Sequence, residues 1–123
     1  MLKMNEDEAV MVVDDDPDTR EVLSELLDAS GLKVLQAENG KIALEVLRKT
    51  PRFPRLVLLD LSMPVLDGRG FLKRRAMDPA LRDIPVVVIS ASNQPAEPLE
   101  GIEEFLRKPV RVDRLMEIIN HYC

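Results

Sequence analysis

The strongest constraint on the fold is a regular alternation between short apolar segments and segments whose apolar residues recur at helical spacing. The apolar segments are short, and the first of them is continuously apolar and rich in β-branched residues, which is typical of a strand that is covered on both faces. They lie at residues 9–13, 33–37, 56–59, 85–89 and 104–106. Strand followed by helix, repeated about five times, predicts an α/β fold with a parallel sheet, helices on both faces and right-handed crossovers.

Residues with strong local preferences mark the ends of the predicted helices. Asp16 is suited to cap the first helix and Pro17 to occupy its first position. The segment at residues 91–102 contains Pro95 and Pro98, so that only a turn or two of helix fits there. We therefore predict five helices, of which the fourth is shortened or irregular. The other four begin near residues 17, 40, 68 and 112.

The composition indicates a globular protein. A length of 123 residues fits a single domain, which we place at residues 1–123 with a core over about 9–122. The formal net charge of −5 disfavours a protein that coats duplex DNA, and no apolar run is long enough to span a bilayer. The acidic first residues do not resemble a signal peptide, and the lone Cys123 excludes an intrachain disulfide. We expect a cytoplasmic domain that binds neither DNA nor membranes.

Side chains that can bind ions or transfer groups follow four of the predicted strands. In a doubly wound sheet these carboxyl ends lie at one edge, where ligands bind. The residues at these positions are Asp14, Asp15, Asp16, Asp60, Ser90 and Lys108. Neighbouring carboxylates repel one another by about 4 kcal/mol per pair at about 4 Å and an effective dielectric constant of about 20, so such a cluster favours a bound cation.

The residue types indicate the chemistry of this cluster. Oxygen ligands on a hydrated loop suit Mg²⁺ or Mn²⁺, which keep several waters and accept one or two carboxylates. A hydroxyl and an ammonium group nearby can hold a phosphoryl group through charge-assisted hydrogen bonds. A carboxylate beside a metal can also be the nucleophile that accepts the phosphoryl group. From residue types alone, we interpret the site as one for metal-assisted phosphoryl transfer onto a carboxylate.

Three other interpretations of the acidic run fit the residues less well. Helix capping needs one aspartate and not three in succession. A Ca²⁺-binding loop would have Asp14, Asp16, Asp18 and Glu25 at ligand positions, but Thr19 stands where that loop needs glycine. A small phosphatase of the haloacid-dehalogenase type also uses an aspartate nucleophile, but Asp18 stands where its motif has Thr or Val.

The whole pattern resembles a response-regulator receiver domain, the phosphoacceptor module of two-component signalling. The resemblance covers about residues 9–122 and depends on four motifs in a fixed order. These are MVVDDDPDTR, LVLLDLSMPVLDG, VVVISAS and FLRKPV. It implies a flavodoxin-like, doubly wound sheet of five parallel strands in the order 2-1-3-4-5.

The resemblance implies a metal ion and a phosphorylated side chain. Asp60, after the third strand, matches the aspartate that accepts the phosphoryl group. The implied ion is Mg²⁺, with Mn²⁺ as an alternative. Its implied ligands are Asp14, Asp15, Asp60 and the backbone carbonyl of Ser62.

The resemblance also implies residues that contact the phosphoryl group and respond to it. Ser90 and Lys108 match the hydroxyl and the amino group that pair with the phosphoryl oxygens. Phe105 matches the aromatic switch residue that turns inward as the hydroxyl of Ser90 moves. The bond between Lys108 and Pro109 is expected to be cis, a form found in about 5–6% of X-Pro bonds in folded proteins.

The implied function is that of a phosphorelay receiver. A sensor histidine kinase or a phosphotransfer protein is the expected donor, and a downstream protein of unknown identity is the expected target. We expect a monomer or weak dimer that catalyses its own phosphorylation and dephosphorylation but is not a turnover enzyme. The alternative is a receiver-like interaction module that acts without phosphorylation. The shortened fourth helix departs from the usual pattern of the family.

Overall fold

A computed structural model describes residues 8–93 and 98–123 of the chain. One parallel sheet contains β1 (Ala9–Val13), β2 (Lys33–Ala37), β3 (Leu56–Leu59), β4 (Val86–Ser90) and β5 (Glu104–Arg107), in the order β2-β1-β3-β4-β5. The helices are α1 (Pro17–Ala29), α2 (Gly40–Lys49), α3 (Gly68–Ala76) and α4 (Val112–Tyr122). The predicted flavodoxin-like fold, with strand order 2-1-3-4-5, is confirmed.

The described residues contain four helices where the sequence predicted five. Residues 91–93 and 98–103 form bends, turns and stretches without regular secondary structure, and residues 94–97 of the predicted fourth helix lie outside the described residues. Leu99 and Ile102 nevertheless pack against the core on the face that carries α2 and α3. Apolar side chains from residues 98–103 therefore cover part of the core on this face of the sheet.

Side-chain caps explain where the first helices begin. The carboxylate of Asp16 accepts a hydrogen bond from the backbone of α1, that of Asp67 from the backbone of α3, and the amide oxygen of Asn39 from the backbone of α2. Each cap satisfies one of the backbone N–H groups that the first turn of a helix leaves without a partner.

In the described residues, no helix is both long and apolar enough to cross a membrane.

The three central strands are buried on both faces, as their continuous apolar sequences require. Successive side chains of a strand point to opposite faces. Met11 and Val13 of β1 pack with α2 and α3, whereas Val10 and Val12 pack with α1 and α4. All residues of β1, β3 and β4 are buried. The central strands are therefore held from both sides, and their carboxyl ends form a rigid edge.

Arg75 of α3 differs from its expected environment. The sequence predicts that the basic run at residues 73–75, together with Arg69, forms a solvated helix face, but Arg75 is only 4% exposed. It donates hydrogen bonds of 3.1 and 2.6 Å from Nε and Nη2 to the carbonyl oxygen of Ile84. Its buried position follows from helical spacing, since it lies one turn after the buried Phe71. Burial lowers the pKa of Arg75.

Replacing this arginine should destabilise the fold. In Arg75→Met the buried carbonyl group of Ile84 loses both donors, and we expect the free energy of unfolding to fall by about 1–3 kcal/mol. Urea denaturation measures the change. The matched control is Arg74→Met, an exposed neighbour whose replacement should change the free energy of unfolding by less than about 0.5 kcal/mol. Equal urea midpoints for the two variants would contradict a structural role for Arg75.

Candidate functional site

Three carboxylates meet where β1 and β3 end side by side. Asp14 and Asp15 follow β1, and Asp60 follows β3. The two strands are neighbours in the sheet, with Val13 opposite Leu59. One carboxylate oxygen of each aspartate lies within 4.8 Å of those of the other two. The structure thus brings together residues that are 46 positions apart in the chain, from 14 to 60.

The amino group of Lys108 lies between two of these carboxylates. Its Nζ is 2.7 Å from Oδ2 of Asp14 and 3.9 Å from Oδ2 of Asp60. Lys108 directly follows β5, and its backbone N–H donates a 2.8 Å hydrogen bond to the carbonyl oxygen of Ser90 at the end of β4. The bond between Lys108 and Pro109 is cis, as expected. Lys108 therefore connects the edge strand β5 to the acidic cluster at the ends of β1 and β3.

Asp14 is held at both carboxylate oxygens. Its Oδ1 accepts a 2.9 Å hydrogen bond from the backbone N–H of Asp16, and its Oδ2 accepts the bond from Lys108. The carbonyl oxygen of Asp14 accepts a 2.6 Å bond from Nη1 of Arg20, a contact that the sequence analysis missed. No sequence pattern identifies it, because an arginine in the first turns of a helix can equally point to solvent. Asp14 is thus a fixed, buried carboxylate.

Asp15 and Asp16 differ in what they offer a ligand. Asp15 is exposed beside the cluster, with its carboxylate free to face solvent or an ion. Asp16 instead caps α1 and also accepts a 2.7 Å hydrogen bond from the hydroxyl of Thr19. This hydrogen bond is the main reason that the pKa of Asp16 is lowered. Of the three consecutive aspartates, therefore, two belong to the acidic cluster and one caps the helix.

Asp60 is buried and electrostatically strained. It is 7% exposed, and burial is the main cause of its raised pKa, followed by repulsion from Asp14. The charge of Lys108 and a backbone hydrogen bond from Ser62 act in the opposite direction and favour the ionised form. A buried carboxylate with these neighbours gains from any ligand that brings positive charge or hydrogen-bond donors.

Ser90 and Phe105 share one face of the sheet. In the register of β4 and β5, Phe105 lies opposite Val88, two residues before Ser90 on β4. Side chains two residues apart in a strand point to the same face, here the face that carries α3. Ser90 is 1% exposed, and its Oγ accepts a 3.2 Å hydrogen bond from the backbone N–H of Ser92. Phe105 is half-buried against the core.

The donor set fits a small, hard divalent cation. Ligands of Mg²⁺ lie about 2.0–2.1 Å from the ion, so the oxygens of one site are a few ångströms apart, as the carboxylate oxygens here are. Asp14, Asp15 and Asp60 offer such oxygens, and the exposed side of Asp15 leaves room for water. That the backbone carbonyl of Ser62 completes the site remains a prediction.

The comparison with known families decides what kind of domain this is. Residues 10–120 match the family model described as the response regulator receiver domain. The chain belongs to this family. A similar curated protein is the two-component response regulator ORR3 of Oryza sativa, which is 38% identical over 115 residues; the match covers 90% of this chain and 87% of ORR3.

Solved structures support the same assignment for this receiver domain. A CheY-like response regulator receiver domain from Methanospirillum hungatei has a TM-score of 0.80 and 28% identity, and the match covers 94% of this chain and 93% of that one. The phosphorylated cyanobacterial phytochrome response regulator RcpA has a TM-score of 0.76 and 26% identity, covering 93% and 89% of the two chains. The receiver fold thus extends over nearly the whole sequence.

The raised pKa of Asp60 predicts how the receiver domain responds to pH. The fold favours the protonated form of Asp60. The contribution of Asp60 to the free energy of unfolding is therefore present at low pH and is lost as the pH rises through the folded-state pKa. Without metal ions, Asp60→Asn should therefore be more stable than the wild type at pH 7.5. The difference in free energy of unfolding should narrow as the pH falls toward about 4, the ordinary pKa of aspartate.

Urea titrations in EDTA at several pH values measure this difference. Asp16→Asn is the control, because the fold favours the ionised form of Asp16 and its neutralisation should give no gain at pH 7.5. A stabilisation by Asp60→Asn that stays constant with pH would show that the charge of Asp60 is not its cause.

Proposed function

We propose that this receiver domain accepts a phosphoryl group on Asp60 from a sensor histidine kinase or a phosphotransfer protein, with Mg²⁺ or Mn²⁺ bound at the acidic cluster. The observation that supports this most directly is the position of the Lys108 amino group between Asp14 and Asp60, at an edge where three carboxylates meet. The likeness to RcpA, whose structure is described as phosphorylated, adds support.

Each residue of the site has a part in the proposed transfer. An ionised oxygen of Asp60 attacks the phosphorus atom, and the bond to the donor nitrogen breaks in line with the attack. The amino group of Lys108, which contacts both carboxylates before the reaction, is close enough to pair with the incoming phosphoryl oxygens. A metal ion held by Asp14, Asp15 and Asp60 would neutralise charge on those oxygens.

The switch is proposed to run through Ser90 and Phe105. The buried hydroxyl of Ser90 moves toward the phosphoryl group and donates a hydrogen bond to one of its oxygens. This movement leaves space on the face that Ser90 shares with Phe105, and the half-buried phenyl ring turns into it. The surface formed by β5 and residues 98–103 changes as a result. A downstream protein binds the changed surface.

Further properties follow from the same proposal. We infer a single domain that acts in the cytoplasm, where sensor kinases present their phosphohistidine. It would catalyse its own phosphorylation and dephosphorylation but would not turn over a free substrate. We infer a monomer or weak dimer whose output is contact with another protein, without direct binding to DNA or membranes.

Chemical phosphorylation tests the proposed acceptor. Incubation with acetyl phosphate and Mg²⁺ should add the mass of one phosphoryl group to the wild-type protein and none to Asp60→Asn, as measured by intact mass spectrometry. EDTA should abolish the addition, and Asp15→Asn should slow it at low Mg²⁺. Asp16→Asn is the matched control and should be labelled like the wild type, since Asp16 caps α1.

Two results would contradict the proposal. Equal labelling of the wild type and Asp60→Asn would mean that another residue is the acceptor. A wild-type protein that takes up no phosphoryl group would favour the alternative, an interaction module that acts without phosphorylation.

The docking surface for the protein donor is proposed to be an apolar groove between α1 and α4. The groove has a volume of about 490 Å³ and is lined by Lys108 and Pro109 as well as by side chains of both helices. Val22 and Val112 at its rim are 57% and 53% exposed. An apolar surface that reaches a residue of the site can hold a partner while its phosphohistidine approaches Asp60.

A charge placed in this groove should block the protein donor alone. Val22→Asp should slow phosphoryl transfer from a phosphorylated histidine phosphotransfer protein by about fivefold or more, because a charge replaces an apolar side chain of the docking surface. Its labelling by acetyl phosphate should match that of the wild type. Met77→Asp, at a residue that is 84% exposed on the opposite side of the sheet, is the control and should leave both rates unchanged. Equal slowing by the two variants would exclude the groove as the docking surface.

A further inference from the structure

A second groove opens beside the site, on the face of the sheet that carries α3. It has a volume of about 260 Å³, enough for a molecule of a few heavy atoms. Most of its polar lining comes from the ends of β3 and β4 and the residues that follow them, with one cation from α3. These polar residues include Ser62, Ser90, Ser92, Asn93 and Arg69. Ser90 belongs both to this groove and to the proposed phosphoryl site.

Arg69 lies close to the proposed acceptor along the backbone. The preceding residue, Gly68, packs so tightly on the acceptor strand that an added Cβ would lie 2.6 Å from the carbonyl oxygen of Asp60. The Cα atoms of consecutive residues are about 3.8 Å apart, so Arg69 leaves the backbone one residue from a direct contact with Asp60. Arg69 also lines the groove that contains Ser90 of the proposed phosphoryl site, so a small molecule in this groove lies within reach of its side chain.

The side chain of Arg69 makes no polar contact that stabilises α3 in the described part of the chain. Within residues 8–93 and 98–123, no hydrogen bond or ion pair of its side chain is found. The carboxylate of Asp67 in the same groove already accepts the N–H of Gly70 as the helix cap. A cation in the first turn of a helix is also disfavoured by the helix dipole, whereas Lys73 and Arg74 in the last turn are favoured.

We propose that Arg69 binds the carboxylate that a small acyl phosphate releases, so that it makes the receiver domain selective for acyl phosphates as small-molecule donors. The inference rests on the proposed function, since it takes Asp60 as the nucleophile. An oxygen of Asp60 forms a bond to phosphorus while the bond between phosphorus and the acyl oxygen breaks. The electron pair stays on that oxygen, and the leaving group departs as a carboxylate without taking up a proton.

The carboxylate leaving group forms in a region of negative charge, so a nearby cation would stabilise it. Three carboxylates line the site with one lysine between them, and the whole chain carries a net charge of −5. A carboxylate that forms at the mouth of the site is repelled by these charges, and Arg69 is the cation among the residues that line the groove. A donor with a neutral leaving group does not need it. Phosphoramidate is such a donor, because its protonated nitrogen leaves as ammonia.

Donor selectivity tests this role. Initial rates of phosphorylation are measured by intact mass with acetyl phosphate and, separately, with phosphoramidate, at the same Mg²⁺ concentration and ionic strength. In Arg69→Gln the rate with acetyl phosphate should fall by about three- to fivefold, as expected for loss of an exposed ion pair, and the rate with phosphoramidate should change by less than about 1.5-fold. Arg69→Lys should restore part of the lost rate.

The matched control lies one turn further along the same helix. Lys73→Gln removes the same charge from an exposed position that does not line the groove, and it should leave both rates unchanged. An equal loss with both donors in Arg69→Gln would overturn the inference, because the arginine would then act on the phosphoryl group or on the fold. Unchanged rates with both donors would overturn it as well. A wild-type protein labelled by neither donor would overturn the proposed function and this inference together.

Discussion

The electrostatic balance around Lys108 is the constraint on which the site depends. The single ammonium group lies 2.7 Å from Asp14 and 3.9 Å from Asp60, and it offsets part of the repulsion between carboxylates that the sheet edge forces together. One positive charge cannot neutralise three carboxylates, so the cluster keeps an excess of negative charge. Burial raises the pKa of Asp60 most, repulsion from Asp14 raises it further, and the excess negative charge favours a divalent cation. The repulsion that destabilises the carboxylate cluster is thus the same interaction that favours binding of a divalent cation.

The backbone holds these charges in place. Asp14, Asp60 and Lys108 each directly follow a strand, and the backbone N–H of each still donates a hydrogen bond to a neighbouring strand. Asp14 donates to Ala37, Asp60 to Val13 and Lys108 to Ser90, at 3.1, 2.9 and 2.8 Å. β1 and β3, which precede the two aspartates, are buried on both faces, whereas β5 is partly exposed. Moving one strand end away from its neighbour to relieve the repulsion between the side chains would therefore break a hydrogen bond of the sheet.

The sheet and the acidic cluster were predictable from the sequence because both follow from local patterns. Continuous apolar strands have to be buried on both faces, and parallel strands bring their carboxyl ends to one edge. Other features depend on contacts that no local pattern contains. Arg75 looks solvated within a basic run, and only the fold places Ile84 within its reach. Val65 adopts a φ of 70°, which residue preferences argue against for a β-branched side chain.

The two grooves differ in a way that matches the chemistry of two kinds of donor. The larger groove, between α1 and α4, is apolar and suits a protein surface. The smaller groove beside α3 is polar, and Arg69 supplies its cation. On the proposed function, phosphohistidine leaves as a neutral imidazole and needs no cation on its path, whereas an acyl phosphate leaves as an anion. The larger groove reaches Lys108 and the smaller groove reaches Ser90, and both residues belong to the proposed phosphoryl site. On this proposal, Asp60 receives phosphoryl groups from proteins that dock on the larger groove and from small molecules that bind in the smaller one.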